Sequence, residues 1–322
     1  TDDKIVQIDD WPTIGNEQEE IIKRLKGKPA TMVKLYIWRR GMDPGKITRP
    51  TEDMVVEIER AQISVPSTAH QMLPGKIGLV ELKSFSRTAT ADVLAAIEEL
   101  KADGMRALVF DLRYNSGGLL TEARGVSDLF LPKGLDVVST EARVGQSQTL
   151  GTLQDAAIPA DMPMICLINR YSASASEIVS GALQDHKRAT IVGERSFGKG
   201  SVQSLLPLGR DAALKLTTAR YYTPSGHSVQ EGGIKPDISV PQLSDPDLAK
   251  RSRFTMRESD LRGHLINELK LEDSALETDK REDPRFTKTA EELKDEGIED
   301  FQLHYALETL RRTSPNAVAA RR

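Results

Sequence analysis

Cysteine is nearly absent from this sequence: there is one, Cys166, in 322 residues. A single thiol excludes an intramolecular disulfide framework and any metal site built on cysteines. It lies in the apolar run Met164-Ile165-Cys166-Leu167-Ile168, where a cysteine serves as a small core residue rather than a nucleophile. No run of about 18 consecutive apolar residues occurs, so there is no transmembrane-helix signal. A large charge of either sign is missing as well. The net charge is −4, from 44 basic and 48 acidic residues, which gives no reason to expect a nucleic-acid or membrane-surface partner. The opening Thr1-Asp2-Asp3-Lys4 has no signal-peptide character; the protein is either cytosolic or a processed or truncated form of an exported one. His-Glu-x-x-His, Gly-x-Ser-x-Gly and Gly-x-x-x-x-Gly-Lys-Ser/Thr patterns are also missing, and the five histidines do not cluster at metal-ligand spacing. Neither a metal nor a cofactor is therefore expected.

What is present is an ordinary soluble composition, 39% hydrophobic and 29% charged, on a chain long enough for two or three domains. Lys4 to Ile8 reads as a strand. Asn16, with Glu19 three residues on, signals a helix start, Ile21, Ile22 and Leu25 form its apolar stripe, and Gly27 is a candidate C-cap. Two strands follow, around Val33-Leu35-Ile37 and Met54 to Ile58. A second block begins with the strand Ile77 to Leu82. Thr90 is the expected cap of a helix carrying Val93, Leu94, Ile97 and Leu100, ended by Gly104. Buried-type strands at Ala107 to Leu112 and Pro163 to Ile168 alternate with helices, which implies a mixed or parallel sheet covered by helices. Strands at Ala189 to Gly193, Leu205 to Leu208 and Leu214 to Tyr222 complete this block. From about Pro246 charged residues crowd together and strand patterns vanish; Phe301, Leu303, Ala306, Leu307 and Leu310 give a last helical stripe.

The chemistry-bearing segments are Asn169 to Glu177 and Ser196 to Gln203. Ser172, Ser174 and Ser176 precede the apolar positions of a helix, and their bland role is N-capping. The same geometry would set a serine hydroxyl beside free N–H groups and the positive end of a helix dipole, where an oxyanion is stabilised. Gly117-Gly118, at the end of another buried strand, is a second source of N–H groups or else a plain tight turn. A helix of about 11 residues, about 16 Å long, followed by a returning strand, brings the loop at 196–200 back toward Ser174. That loop holds Lys199 between Gly198 and Gly200, either as a surface charge or, when desolvated beside a serine, as a general base. His186 beside Asp185 suggests a Ser–His–Asp triad, but a histidine at a helix end is more simply a C-cap.

Taken together, Asp111-Leu112-Arg113-Tyr114-Asn115-Ser116-Gly117-Gly118-Leu119, Ser172 to Glu177, Gly181 to Asp185, Gly193 to Gly200 and Gly232 to Asp237 resemble the C-terminal processing peptidases, a family of tail-specific Ser–Lys proteases. The resemblance implies an α/β fold, mixed, with a core like those of crotonase and Clp protease. By position it implies Ser174 as nucleophile, Lys199 as general base and Gln203 as the residue orienting the lysine. It also implies an oxyanion hole from N–H groups of Gly117-Gly118 and Ala175, with Glu177, Asp185 and Ser196 in support. Residues 1–63 resemble the C-terminal half of a PDZ module, 64–245 the protease core, and 246–322 form a charged, mainly helical C-terminal region. The first half of the module is missing, so a piece of a longer, exported protein is expected, periplasmic or membrane-associated through the missing N-terminus. An incomplete module is expected to leave the dyad unassembled, with Lys199 turned away from Ser174. Substrates are expected to be proteins or peptides with apolar C-terminal tails, with no nucleic acid, and with a homo-oligomer or an adaptor protein as further partners. The rival readings are a non-catalytic peptide-binding or scaffolding protein on the same fold, and an acyl hydrolase with a histidine base.

Overall fold

The computed structural model describes residues 3–62, 66–142, 147–209, 212–243, 258, 286 and 288–314. It divides into two compact units, Thr1–Val65 and Pro66–Arg322. The first unit is a four-stranded antiparallel sheet in the order β2-β1-β3-β4, from β1 (Lys4–Ile8), β2 (Trp11–Pro12), β3 (Met32–Trp38) and β4 (Val55–Glu59). The register between β1 and β3 shifts between Ile5 and Gln7. Such a slip changes which face a side chain takes, and Val6 joins Tyr36 and Met54 in one apolar cluster while Ile8 joins Val33 and Leu35 in another. Helix α1 (Gln18–Leu25) sets Ile21 and Leu25 against the latter cluster.

Both ends of α1 differ from the sequence expectation. Its N-cap is Glu17; the Asn16 carboxamide instead turns back and donates to the Pro12 carbonyl. Its last carbonyls do not need a left-handed glycine, because the Arg60 guanidinium donates to Leu25 O and Arg24 O. Gly27 makes room for that side chain: a Cβ there would lie 2.7 Å from Arg60 Cδ, so a larger residue would push Arg60 aside.

The second unit is built on a six-stranded sheet in the order β14-β11-β10-β7-β6-β5. Its strands are β5 (Thr68–Leu73), β6 (Ile77–Leu82), β7 (Ala107–Asp111), β10 (Met164–Ile168), β11 (Thr190–Gly193) and β14 (Ile238–Ser239). All neighbours are parallel except the β5–β6 hairpin. The apolar runs of β7 and β10 are continuous because both faces are covered. Leu108, Phe110, Cys166 and Ile168 face a cluster with α2 (Ala89–Ala102), α3 (Leu120–Asp128) and α4 (Ala175–Asp185). Ala107, Val109, Ile165 and Leu167 face Leu293, Phe301, Ala306 and Leu310, from α5 (Ala290–Asp295) and α6 (Phe301–Thr313). The helical stripe near the end of the chain therefore closes the second face of this sheet, in the same compact unit. Cys166 is fully buried, and burial pushes its thiol pKa well up, so the thiol is inert.

A second, antiparallel sheet runs in the order β12-β13-β8-β9, from β8 (Asp136–Ala142), β9 (Gln148–Gly151), β12 (Ser201–Pro207) and β13 (Ala213–Tyr222). Strands β5, β8 and β9 carry no buried-type run and are not legible in the sequence. Thr90 is not the cap of α2, whose N-cap is Thr88. Thr90 instead donates through its N–H and Oγ1 to the Glu122 carboxylate, tying α2 to α3. Gly104 does end α2 with φ +84°. Among the described residues, no helix is long and apolar enough to cross a membrane.

Because α6 covers the sheet, Leu310→Ala, at a position 2% exposed, should lower the unfolding free energy by about 2–5 kcal/mol. Urea unfolding measures this; a loss below 1 kcal/mol would mean that α6 does not belong to the core in solution.

Candidate active site

The loops at the C-terminal ends of β7 and β10 converge, the place where parallel sheets hold ligands. They are fastened by two buried amides. The Asn169 carboxamide oxygen accepts the N–H groups of Tyr114 and Tyr171. Asn115 donates to Leu82 O, accepts Gly117 N–H on its own Oδ1, and offers its carbonyl to Ala173 N–H and Ser176 Oγ. The three serines of the second loop then separate by role. Ser172 Oγ donates to Leu112 O at 2.8 Å, and Ser176 Oγ donates to Asn115 O at 2.8 Å, both from fully buried positions. Ser174 is only half-buried, and among the described residues its hydroxyl donates to no carbonyl.

Ser174 is the N-cap of α4, with φ 56° and ψ −113°. A non-glycine residue in this region is strained, by roughly 1–3 kcal/mol, and needs its surroundings to hold it. Gly117 shares the burden: a Cβ there would lie 2.8 Å from Ser174 Cβ and 3.0 Å from Ala175 N. Gly118 has its own close neighbour, since a Cβ would meet the Phe85 carbonyl at 2.3 Å. The N–H groups around the serine are not equivalent. Gly117 N–H is committed to Asn115 Oδ1, whereas among the described residues those of Gly118 and Ala175 have no acceptor.

One carboxylate organises the rest. Glu177, fully buried, receives Ser174 N–H (2.7 Å) and Lys199 N–H (3.0 Å) on Oε2, and Ser196 Oγ–H (2.6 Å) and Gly198 N–H (2.7 Å) on Oε1. With Ser174 it forms a capping box. Ser196 Oγ in turn accepts Ile234 N–H. The glycines beside Lys199 are forced by close approach: a Cβ on Gly198 would meet Glu231 backbone at 2.8 Å, and one on Gly200 would meet Gln230 N at 2.5 Å. Lys199 is half-buried, and among the described residues its ammonium makes no hydrogen bond or ion pair. Gln203 is exposed on β12 opposite Thr217, just past a register shift. Asp185 lies three turns of helix from Ser174 and accepts Ser225 N–H in the turn that follows β13. His186 is the C-cap of α4 and hydrogen-bonds Asp136 O, at the opposite end of the helix from Ser174. It offers no base to the serine.

Ser174, Ala175, Glu177, Ser196, Lys199 and the two glycines are thus drawn into one cluster, and Asp185 and Gln203 lie outside its hydrogen bonds. Three contributors carry no signal in the sequence beyond their residue type. They are Asn115, Gln230, whose Oε1 accepts Gly200 N–H, and Tyr221, whose hydroxyl donates to Lys199 O. Each is a buried side chain with a polar end, Asn115 and Gln230 in loops and Tyr221 in β13. Behind the cluster, Arg113 is forked between Asp111 and Asp300, which links the Asn115 loop to the start of α6. Burial opposes the Arg113 charge, but the two carboxylates outweigh it and hold its pKa above the ordinary value. Among the described residues, no group of three His, Cys, Asp or Glu could hold a metal ion.

Burial pushes the Glu177 pKa up to about 7, against the pull of its four donors. A carboxyl pKa raised in the fold favours the folded state below its unfolded pKa, near 4.5, and this advantage is lost as pH rises through about 7. Glu177→Gln places an NH2 group among donors and should destabilise the fold at every pH. Its deficit against the parent should be larger at pH 5 than at pH 8, the difference being on the order of 3 kcal/mol. Paired urea titrations at the two pH values test this; an equal deficit would show that Glu177 does not titrate in this window.

Comparison with known proteins places the chain among relatives. The profile described as "Peptidase family S41" matches residues 76–240. A carboxy-terminal-processing protease of Bartonella bacilliformis is 43% identical over 272 residues, 82% of this chain and 59% of that protein. A carboxyl-terminal-processing protease of Synechocystis is 37% identical over 245 residues, 74% of this chain and 55% of that protein. The chain thus spans little more than half the length of these relatives. The structure of a photosystem II D1 C-terminal processing protease superposes with a TM-score of 0.52 at 26% identity, covering 82% of this chain and 68% of that one.

Proposed function

The chain belongs to peptidase family S41, and we propose that it is a serine endopeptidase cleaving proteins near or from their C-terminal tails through a Ser174–Lys199 dyad. The observation that carries this reading is the contrast among the three serines. Two hydroxyls are consumed by buried carbonyls, and the third stands half-open at a strained helix start beside two N–H groups that have no acceptor among the described residues. In the reaction, Lys199 in its neutral form takes the Ser174 Oγ–H proton as Oγ attacks the scissile carbonyl carbon. The developing oxyanion meets the N–H groups of Ala175 and Gly118, helped by the α4 dipole. The lysine then gives its proton to the leaving amine as the C–N bond breaks. Water, deprotonated by the same lysine, adds to the acyl-enzyme ester and releases the new C-terminus and Ser174. For these proton transfers Lys199 Nζ comes within hydrogen-bond reach of Ser174 Oγ when substrate binds, as catalytic hydrogen bonds tighten in the bound complex. Gln203 is the residue that steadies the lysine once it has moved, and Asp185 holds the far end of the α4 layer.

On this reading the sheet of residues 1–63 is the C-terminal half of a PDZ-like module that gathers apolar substrate tails. Residues 64–245 form a core of the crotonase and Clp-protease kind, covered on one face by α5 and α6; the rest of the expected helical region 246–322 lies largely outside the described residues. The protein is exported, to a periplasmic or membrane-associated position, and works on protein substrates as a homo-oligomer or with an adaptor protein. The names of the relatives, which describe processing of carboxy termini, support the substrate class.

Ser174→Ala should lower hydrolysis of an unfolded protein by at least about 1,000-fold. Ser172→Ala and Ser176→Ala should retain activity while losing about 1–3 kcal/mol of stability each from their buried bonds. Full activity in Ser174→Ala would sink the assignment. Lys199→Arg keeps the charge but cannot deprotonate near neutral pH, so it should be nearly as inactive as Lys199→Ala. Substantial turnover in the arginine variant would reduce the lysine to a structural charge.

A further inference from the structure

The two peptide groups of Lys199 are each held by one side chain that also reaches Ser174. On the N–H side that side chain is Glu177. On the carbonyl side it is Tyr221. Its hydroxyl donates to Lys199 O, and the Ser174 side chain is near enough to the same phenol to pull its pKa down against the push of burial. Tyr221 also donates its own N–H to Gly200 O at 3.0 Å, so it grips two successive carbonyls of the lysine loop. It stands near the end of β13, paired with Thr140 of β8, and is 2% exposed. A phenol so deeply buried is costly unless bonded. A phenylalanine would fill the same space without that cost. Burial, with the charge of Glu177 nearby, pushes the phenol pKa well up, so the hydroxyl keeps its proton and remains a donor.

We propose that Tyr221 is a positioning residue for the proteolytic reaction, bridging the Ser174 side chain to the Lys199 carbonyl and so fixing the serine relative to its base. The inference rests on the dyad reading of the site. Its direction follows from proton inventory. The tyrosine proton is spent on Lys199 O, an obligate acceptor, so the phenol oxygen can only accept from Ser174 Oγ–H. Ser174 is thereby restricted to a rotamer that keeps Oγ within the cluster, between the oxyanion-facing N–H groups and the lysine loop. Glu177 fixes the serine's backbone and Tyr221 its side chain. No proton leaves the tyrosine in the reaction. Its contribution is orientation, which appears in kcat rather than in substrate affinity.

Tyr221→Phe keeps the ring and removes the phenol oxygen. On a peptide substrate, kcat should fall at least ten-fold while KM stays within two-fold of the parent and the unfolding midpoint moves by only a few degrees. A residue that merely fills space or supports the sheet would leave kcat unchanged, so a kcat within two-fold of the parent overturns the proposal. A second variant guards against misfolding: 3,5-difluorotyrosine installed at position 221 keeps size and hydroxyl but weakens the oxygen as an acceptor. It should change kcat by three-fold or more with KM unmoved, and an unaltered kcat again overturns the proposal. Ser174→Ala run alongside separates the two levels. Turnover that survives in it removes the dyad itself, as does a parent chain with no Ser174-dependent turnover. An inactive Ser174→Ala together with parental kcat in Tyr221→Phe removes only the role of Tyr221.

Discussion

A carboxylate with no solvent around it dictates the arrangement of this site. Glu177 is fully buried among four donors, two on each oxygen. A buried charge is tolerable only when each lone pair is used, so the donors are not free to wander. One of them is the N–H of Ser174 and another the N–H of Lys199, which come from segments 25 positions apart. Satisfying one side chain therefore brings the backbones of Ser174 and Lys199, the proposed nucleophile and base, to the same place. It also accounts for the strained backbone of Ser174, whose N–H must face back toward the third residue of the helix it begins.

The rest of the second unit keeps that geometry from relaxing. Asn115 pins the glycine loop under the serine, consuming Gly117 N–H, while Gly118 N–H has no acceptor among the described residues. Arg113 ties the same loop to Asp300 and thus to the helix that closes the far face of the sheet. From the other side, β12 and β13 deliver the lysine loop, and Gly198 and Gly200 admit the 230–231 backbone to near contact. Each of these restraints is a buried hydrogen bond or a steric limit, so the cluster is rigid in the fold except at the Lys199 ammonium, which has no partner among the described residues. On the dyad reading, motion in the catalytic cycle is then confined to one side chain.

Much of this was legible in the sequence and some was not, for definite reasons. The central strands of the main sheet announce themselves because both faces are buried; Ala107–Phe110 and Met164–Ile168 are unbroken apolar runs. Strands β5, β8 and β9 are half exposed, and partners distant in sequence set their register, so no local pattern marks them. The serine–glycine–lysine segments stood out by composition, since small residues at strand ends have few other uses. Local sequence could not tell Ser172 and Ser176 from Ser174, because the distinction depends on which carbonyl each hydroxyl meets across 60 residues of chain. Tyr221 was invisible for the same reason: in a strand its hydroxyl gives no periodic signal, and its meaning arises only when β13 lies beside the Lys199 loop. The C-terminal end of α1 was missed because Arg60, 35 residues away, supplies the cap that a glycine was expected to provide, and the N-terminal end because Asn16 bonds back to Pro12 O.

The central claim is that this network leaves Ser174 as the one reactive hydroxyl and Lys199 as its base. The most direct measurement is to treat the intact chain with a fluorophosphonate and map the modified residue by peptide mass spectrometry, in the parent and in Lys199→Ala. The account predicts one adduct per chain, on Ser174, with none on Ser172 or Ser176 and with labelling at least about 100-fold slower when the lysine is gone. An adduct on a different serine, or equal labelling rates with and without Lys199, would contradict it.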